Sequence, residues 1–102
     1  MSDTWFGVRC LFRLPDLSVY EERVTVWNCD SSDAAIAAAE EEAREYAETV
    51  GGGYVGLAQS YALFSAPEHG SEVFSLMRTS DRAADDYVER FFVTGDEHQG
   101  TV

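Results

Sequence analysis

The 102-residue sequence predicts an α+β domain with the element order β-β-α-β-β-α. Residues 5–14 and 20–29 alternate with the period of a strand, and residues 33–50 have helical spacing. Residues 54–65 and 72–80 again have strand composition, and a second helix follows them. Because hairpins alternate here with separate helices, we expect a mostly antiparallel four-stranded sheet with the long helix packed on one face. Length favours a single domain over residues 1–102, with residues 96–102 as a loose tail.

The first predicted strand has one apolar face. Its members are Phe6, Val8, Cys10, Phe12 and Leu14. A hairpin in which paired residue numbers sum to about 34 sets Cys10 opposite Val24 and Arg13 opposite Glu21. In that register Cys10 and Cys29 lie on opposite faces of the sheet, which argues against a disulfide between them.

The long helix is the clearest element in the chain. Asp30-Ser31-Ser32-Asp33 supplies side-chain acceptors for its first turn, and Gly51-Gly52-Gly53 ends it with a left-handed cap. An apolar stripe at helical spacing contains Ile36, Ala39, Ala43, Tyr46, Ala47 and Val50. The remaining surface carries Glu40, Glu41, Glu42, Glu45 and Glu48, with Arg44 among them.

The second half predicts two more strands and a short helix. Residues 72–80 carry apolar side chains on both faces, so this fourth strand is expected to be central or covered on both sides. The last helix is predicted to begin near Ser80-Asp81 and to stop at Thr94-Gly95. Its apolar face contains Ala84, Tyr87, Val88, Phe91 and Phe92.

The strongly negative net charge limits the classes of partner that the protein can bind. The formal net charge is −12, and this argues against binding nucleic acid through phosphate contacts or binding anionic membranes. Neither a signal peptide nor an apolar run of about 18 residues is visible, so we expect a reduced cytoplasmic protein. His69 and His98 have no second ligand at metal-binding spacing, and no cofactor or metal is expected.

Charged residues inside predicted strands form one candidate site. Glu22 and Arg23 in the second strand and Arg78 in the fourth need partners, because an unpaired buried charge is costly. Cross-strand salt bridges, such as Arg13–Glu21 or Glu22–Arg78, are one interpretation. The other is a pocket for a small anionic or zwitterionic ligand, with Trp27 and Tyr61 as its wall.

Four segments carry a resemblance to a known family. They are Tyr-Glu-Glu-Arg-Val-Thr-Val-Trp at 20–27, the Ala/Glu helix, Glu-Val-Phe-Ser-Leu-Met-Arg-Thr-Ser at 72–80 and Phe-Phe-Val-Thr-Gly-Asp-Glu at 91–97. In this order they resemble a family of small bacterial proteins catalogued only as a domain of unknown function. Val26 stands where that motif has Leu. The resemblance implies a stand-alone bacterial α+β domain and supplies no activity or site residue.

Three functional hypotheses remain. The first is a non-enzymatic protein-binding module for a basic partner, such as an immunity or antitoxin protein. Its acidic surface would consist of Glu40, Glu41, Glu45, Glu48, Asp85, Asp86 and Glu89. The second is a small-molecule-binding or accessory domain that uses the Glu/Arg/aromatic pocket. The third is a homodimer, with Trp5 and Leu11 of the first strand in the interface.

Overall fold

The protein is described by a computed structural model that covers residues 4–14 and 19–92. Its elements are β1 (Thr4–Leu14), β2 (Val19–Cys29), α1 (Ser32–Val50), β3 (Gly53–Ala62) and α2 (Ala84–Phe92). The three strands form an antiparallel sheet in the order β2-β1-β3. The predicted α+β class, the antiparallel sheet and the long helix are therefore confirmed. The predicted tail at 96–102 and the helix end at Thr94-Gly95 lie outside the described residues.

Helix α1 begins and ends where the sequence places its caps. The backbone N–H of Ala34 donates to Ser31 Oγ at 3.1 Å, and Gly51 adopts a left-handed conformation with φ of 73°. Its buried positions recur at every fourth residue and are all alanine: Ala35, Ala39, Ala43 and Ala47. Because alanine side chains are short, the helix backbone lies close to the sheet.

The core lies between these alanines and the central strand. Phe6, Val8, Cys10 and Phe12 of β1 are all buried on the face that α1 covers. Phe12 is fully buried, and its ring packs against Tyr46 and Tyr54 at centroid distances of 5.1 and 5.6 Å. The alternation predicted for the first strand is therefore confirmed.

The predicted hairpin register is wrong by one residue. Paired residue numbers sum to 33, so Cys10 lies opposite Arg23 and Arg13 lies opposite Tyr20. A one-residue shift moves every β2 side chain to the other face, and it places Arg23 on the face that meets α1. Cys10 and Cys29 then share a face, but Cys29 lies opposite Thr4, about 20 Å along the strand from Cys10. Both cysteines are free thiols.

The prediction of a fourth strand at residues 72–80 is also wrong. Strand β3 ends at Ala62, three residues earlier than expected, and residues 72–80 form no strand in the part of the chain that the structure describes. A tight turn precedes them: the Ser71 N–H donates to the Glu68 carbonyl at 2.9 Å, and the Glu68 N–H donates to Ser71 Oγ at 2.7 Å. After this turn the chain crosses the uncovered face of the sheet, so it does not run alongside β3. Strand propensity alone cannot form a strand without an edge that supplies hydrogen bonds.

Helix α2 stands apart from the rest of the fold. It begins at Ala84, later than predicted, and within the described ranges it lies against none of the strands and not against α1. Tyr87 and Val88 are half-buried, whereas Phe91 and Phe92 are exposed. The radius of gyration is 15.9 Å, compared with about 13 Å for a compact chain of this length. Neither described helix is long and apolar enough to cross a membrane.

Candidate functional site

The structure distributes the predicted polar cluster over three places. Arg23 and Trp27 lie on the face of β2 that meets α1. Glu22 and Tyr61 lie on the opposite face of the sheet, which neither of the two described helices covers; we call this the open face. Arg78 lies in the irregular segment between β3 and α2. Sequence patterning alone could not separate these residues, because the face of each β2 residue depends on the hairpin register.

Arg23 belongs to a network that joins β2 to α1. Its Nη1 donates to Glu42 Oε1 at 2.5 Å, and its guanidinium lies 4.0 Å from the centroid of the Tyr46 ring. The Tyr46 hydroxyl in turn donates to Glu21 Oε1 at 2.7 Å. The hydrogen bond to Glu42 raises the pKa of Arg23, and the hydrogen bond to Glu21 raises the pKa of Tyr46. These pairs fix the β2 hairpin against the helix.

Trp27 lies beside this network. Its Nε1 donates to Thr25 Oγ1 at 2.7 Å, and its partly buried ring packs against the core. The neighbouring Cys10 thiol is buried, and burial raises its pKa. A thiol with a raised pKa is protonated at neutral pH and is a poor nucleophile. The polar groups of Arg23, Trp27 and their neighbours are therefore occupied with one another. Ser60 of β3, which lies opposite Val8 on this side, has a buried hydroxyl without a hydrogen-bond partner among the described residues.

Tyr54 and Glu40 form a second link between the sheet and the helix. The Tyr54 hydroxyl donates to Glu40 Oε2 at 2.7 Å. Burial, followed by this hydrogen bond, raises the pKa of Tyr54 well above its usual range. Glu40, predicted as part of the acidic partner surface, is thus turned toward the sheet.

Arg9 is the polar centre of the open face, and sequence reasoning missed it. Its Nη1 lies 3.3 Å from Glu22 Oε1, and its Nη2 donates to Gln59 Oε1 at 2.6 Å. The guanidinium also lies 5.3 Å from the centroid of the Phe74 ring. Alternation in β1 places Arg9 on this face. Its ion-pair partner Glu22 and its hydrogen-bond partner Gln59 depend on the registers of β2 and β3, which the sequence pattern of β1 does not contain.

A cavity lies between the open face and the segment that crosses it. Its volume is about 510 Å³, and its lining includes Arg9, Gln59, Tyr61, Phe74 and Leu76. The Tyr61 hydroxyl donates to the carbonyl of Val73 and holds the segment at one end. Gly7 makes room for the Tyr61 ring, because a Cβ atom at Gly7 would overlap that ring.

Arg78 contacts α2 and has no ion-pair contact with the sheet among the described residues. Its Nη1 lies 3.4 Å from the Tyr87 hydroxyl, and its guanidinium lies 4.6 Å from the centroid of the Phe91 ring. Arg78 therefore joins the segment to α2, whereas Val73 and Phe74 join it to the sheet. The predicted salt bridges Arg13–Glu21 and Glu22–Arg78 are not among those of the described residues. The observed salt bridges are Arg23–Glu42 and Arg9–Glu22.

The acidic residues divide into two sets. Glu41, Glu45 and Glu48 follow one another at i, i+4 and i+7 on the exposed side of α1, with Arg44 among them. On α2, Asp85, Asp86 and Glu89 are exposed as well. Asp86 and Glu89 lie around one shallow depression with Arg82 and Arg90, which reduces the local negative charge. The strongest uncompensated acidic surface is therefore on α1.

Comparison with protein-family models, with curated proteins and with solved structures finds no match to this chain. The resemblance to a bacterial family of unknown function thus stays a prediction. Within residues 4–14 and 19–92, no three His, Cys, Asp or Glu side chains converge as metal ligands.

Proposed function

We propose that the protein is a non-enzymatic protein-binding module that receives a basic partner on the outer face of α1. The observation that supports this proposal is the row of Glu41, Glu45 and Glu48, which points away from the sheet. The other carboxylates of the same helix, Glu40 and Glu42, are held by Tyr54 and Arg23. Acids that stabilise the fold and acids that are available to a partner thus lie on different sides of one helix.

The charge distribution favours fast, salt-dependent binding. A net charge of −12 on a chain of 102 residues attracts a cationic partner over distances of about a Debye length, near 10 Å at 0.1 M salt. Rigid display on a 19-residue helix gives such a partner a fixed pattern of carboxylates. An immunity or antitoxin protein that masks a cationic toxin needs this chemistry. A reduced cytoplasmic compartment fits the two free cysteines.

The proposal is tested by charge-matched variants. Glu41→Gln/Glu45→Gln/Glu48→Gln removes three charges from the α1 row. A control variant, Asp30→Asn/Glu68→Gln/Asp81→Asn, removes three charges at exposed positions elsewhere, so both variants carry a formal charge of −9. Each protein is used as bait in a host lysate at 50 and 300 mM salt, and the captured proteins are identified and their isoelectric points compared.

We expect the wild type and the control to capture the same basic protein at low salt, and the α1 variant to lose it. Because each exposed charge pair contributes about 0.2–1 kcal/mol, losing three of them should weaken binding by about 3-fold to about 150-fold. Equal loss in both variants would mean that net charge alone attracts proteins. Capture of no basic protein even at low salt would contradict the proposal.

The cavity on the open face supports a second candidate, a small-molecule-binding domain. Its volume of about 510 Å³ is in the range of ligand pockets, and it combines Arg9 with the aromatic rings of Tyr61 and Phe74. An aromatic carboxylate suits this lining where its carboxylate takes the place of Glu22 on Arg9. Titration with benzoate, followed by intrinsic fluorescence and thermal melting, tests it, with Arg9→Gln as the variant that should lose the effect. No change in either signal at millimolar benzoate would argue against this candidate.

A further inference from the structure

The C-terminal part of the described chain is attached to the sheet only at its start, where Val73 and Phe74 contact Tyr61 and Arg9. We call residues 72–92 the arm; it contains the strand-like segment 72–80 and α2. The exposed fraction rises along the segment, from 38% at Val73 and 40% at Phe74 to 48% at Leu76 and 92% at Met77. Helix α2, with exposed Phe91 and Phe92, lies against neither the sheet nor α1 in the described residues. A nine-residue helix is marginal without a packing surface, so the arm needs one.

The edge of the sheet at β2 is a surface on which such an arm can pack. Because the strand order is β2-β1-β3, the outer edge of β2 has backbone donors and acceptors without a strand partner among the described residues. The open face beside this edge carries apolar side chains, among them Trp5, Leu11, Val24, Val26 and Leu57. Exposed edges and apolar faces of this kind mark interaction sites.

We infer that the arm of one copy docks on the sheet of a second copy of this chain, and that the exchange is reciprocal. Residues 74–80 add an antiparallel fourth strand to the partner's β2, and α2 then lies over the partner's open face. Phe74 exchanges its contacts with Tyr61 and Arg9 of its own sheet for the partner's strand. This arm exchange is independent of the proposed basic partner, because it uses the sheet and leaves the outer face of α1 uncovered.

Side-chain complementarity selects one register for the added strand, in which paired residue numbers sum to 100. On the open face this register sets Phe74 opposite Val26, Leu76 opposite Val24, and Arg78 opposite Glu22; on the α1 face it sets Ser75 opposite Thr25. Aromatic–β-branched, serine–threonine and opposite-charge pairs are the ones that stabilise neighbouring strands. Shifting the strand by two residues loses the charge pair.

The position of the arm favours a second copy over the arm's own sheet. The turn at Glu68–Ser71 and the bond from Tyr61 to Val73 hold the start of the arm beside β3. The free edge of β2 lies two strand spacings away, about 10 Å, on the other side of the sheet. A partner copy can accept residues 74–80 while this turn persists. The seven donated residues, the seven residues of β2 that face them (20–26) and the nine residues of α2 bring each copy to 23 residues, within the about 20–30 of a standard interface.

Mixed cysteine cross-linking tests the exchange directly. In a Cys29→Ser background, one protein carries Val24→Cys and another carries Leu76→Cys, two positions that face each other in the proposed register. The buried Cys10 stays in place in both. The two full-length proteins are mixed, equilibrated and oxidised with oxidised glutathione. The matched control replaces Leu76→Cys by Met77→Cys, which lies on the other face of the added strand.

We expect the Val24→Cys and Leu76→Cys mixture to give a covalent dimer of twice 11.3 kDa, and the Met77→Cys mixture to give at least tenfold less. Sedimentation of the uncrosslinked wild type should show a dimer. A monomer at millimolar concentration overturns the inference. A dimer without the Val24–Leu76 product overturns the arm exchange, and a double variant that forms only an intrachain disulfide shows that the arm pairs with its own sheet.

Charge reversal supplies a second test in the same assay. Arg78→Glu places like charges opposite each other twice in the reciprocal dimer, so its dissociation constant should rise about tenfold. Adding Glu22→Arg restores the opposite-charge pairs and should recover most of the affinity. Because Glu22 also pairs with Arg9, the Glu22→Arg single variant is the control for losing that pair. A double variant that binds no better than both single variants would overturn the register.

Discussion

The ion pair between Arg23 and Glu42 should stabilise the fold, and a double-mutant cycle can measure by how much. The pair has an N–O distance of 2.5 Å and side-chain exposures of 29% and 32%, so it lies between a surface and a buried pair. Exposed pairs contribute about 0.2–1 kcal/mol, and hydrogen bonds to charged groups about 1.5–3 kcal/mol. With partial exposure we expect a coupling free energy of about 1–2 kcal/mol. Loss of the stacking of Arg23 on Tyr46 adds to the destabilisation of the Arg23 single variant. Because the double variant loses the same stacking, this contribution cancels from the coupling free energy.

The cycle consists of Arg23→Met, Glu42→Gln and the double variant, each unfolded in urea and followed by circular dichroism. Arg23→Met keeps most of the aliphatic stem, and Glu42→Gln keeps the shape of the side chain, so packing changes little. The coupling should fall in high salt, though less than for a fully exposed pair. A coupling below about 0.3 kcal/mol would refute this reasoning and would leave Arg23 available for a ligand, as the pocket hypothesis requires.

Three further changes test the core, the tyrosine link and the open face. Phe12→Ala empties a fully buried site and should cost about 3–5 kcal/mol of unfolding free energy in urea; a loss below about 1 kcal/mol would contradict the assigned core. Since burial raises the pKa of Tyr54, the unfolded chain releases this phenolic proton first, and the free energy of unfolding falls as the pH rises above about 10. Replacing Tyr54 by Phe should reduce the slope of unfolding free energy against pH by up to about 1.4 kcal/mol per pH unit. An unchanged slope would refute the assignment. Gly7→Ala should displace the Tyr61 ring, cost about 1–3 kcal/mol and speed proteolysis of the segment after β3, whereas Gly53→Ala, where a Cβ meets nothing within 4 Å, should stay within about 0.5 kcal/mol of wild type.

Local signals predicted the first half of the fold well. Ser31 and Gly51 cap α1 through their own side-chain and backbone chemistry, and the alternation of β1 needs only one buried face. The register of β2 depends on a contact 19 residues away, between Arg23 and Glu42, and no local pattern contains that information. A choice between sums of 33 and 34 reversed the face of every β2 residue, and with it the composition of the candidate site.

The segment 72–80 shows a different limit of sequence reasoning. Its period-two pattern describes what the segment would bury as a strand, but a strand also needs an edge that pairs with it. Apolar residues on both faces, such as Phe74 and Met77, predicted a central or covered strand. That prediction is wrong for the described chain, which forms no strand there and leaves Met77 92% exposed. A period-two pattern contains no information about the edge that a strand needs as its partner.

The two proposals place their partners on opposite sides of the two layers formed by α1 and the sheet. Arm exchange would use the β2 edge and the open face, while the Glu41, Glu45 and Glu48 row lies on the far side of α1. A reciprocal dimer would therefore carry two acidic rows, one per copy, on surfaces that the exchange leaves exposed. Two linked sites raise the apparent affinity for a partner that can engage both, without any new contact. A charge reversal at Arg78 that separates the copies should then weaken capture of a bivalent basic partner while leaving a monovalent one unaffected, which distinguishes failure of the arm exchange from failure of the acidic docking surface.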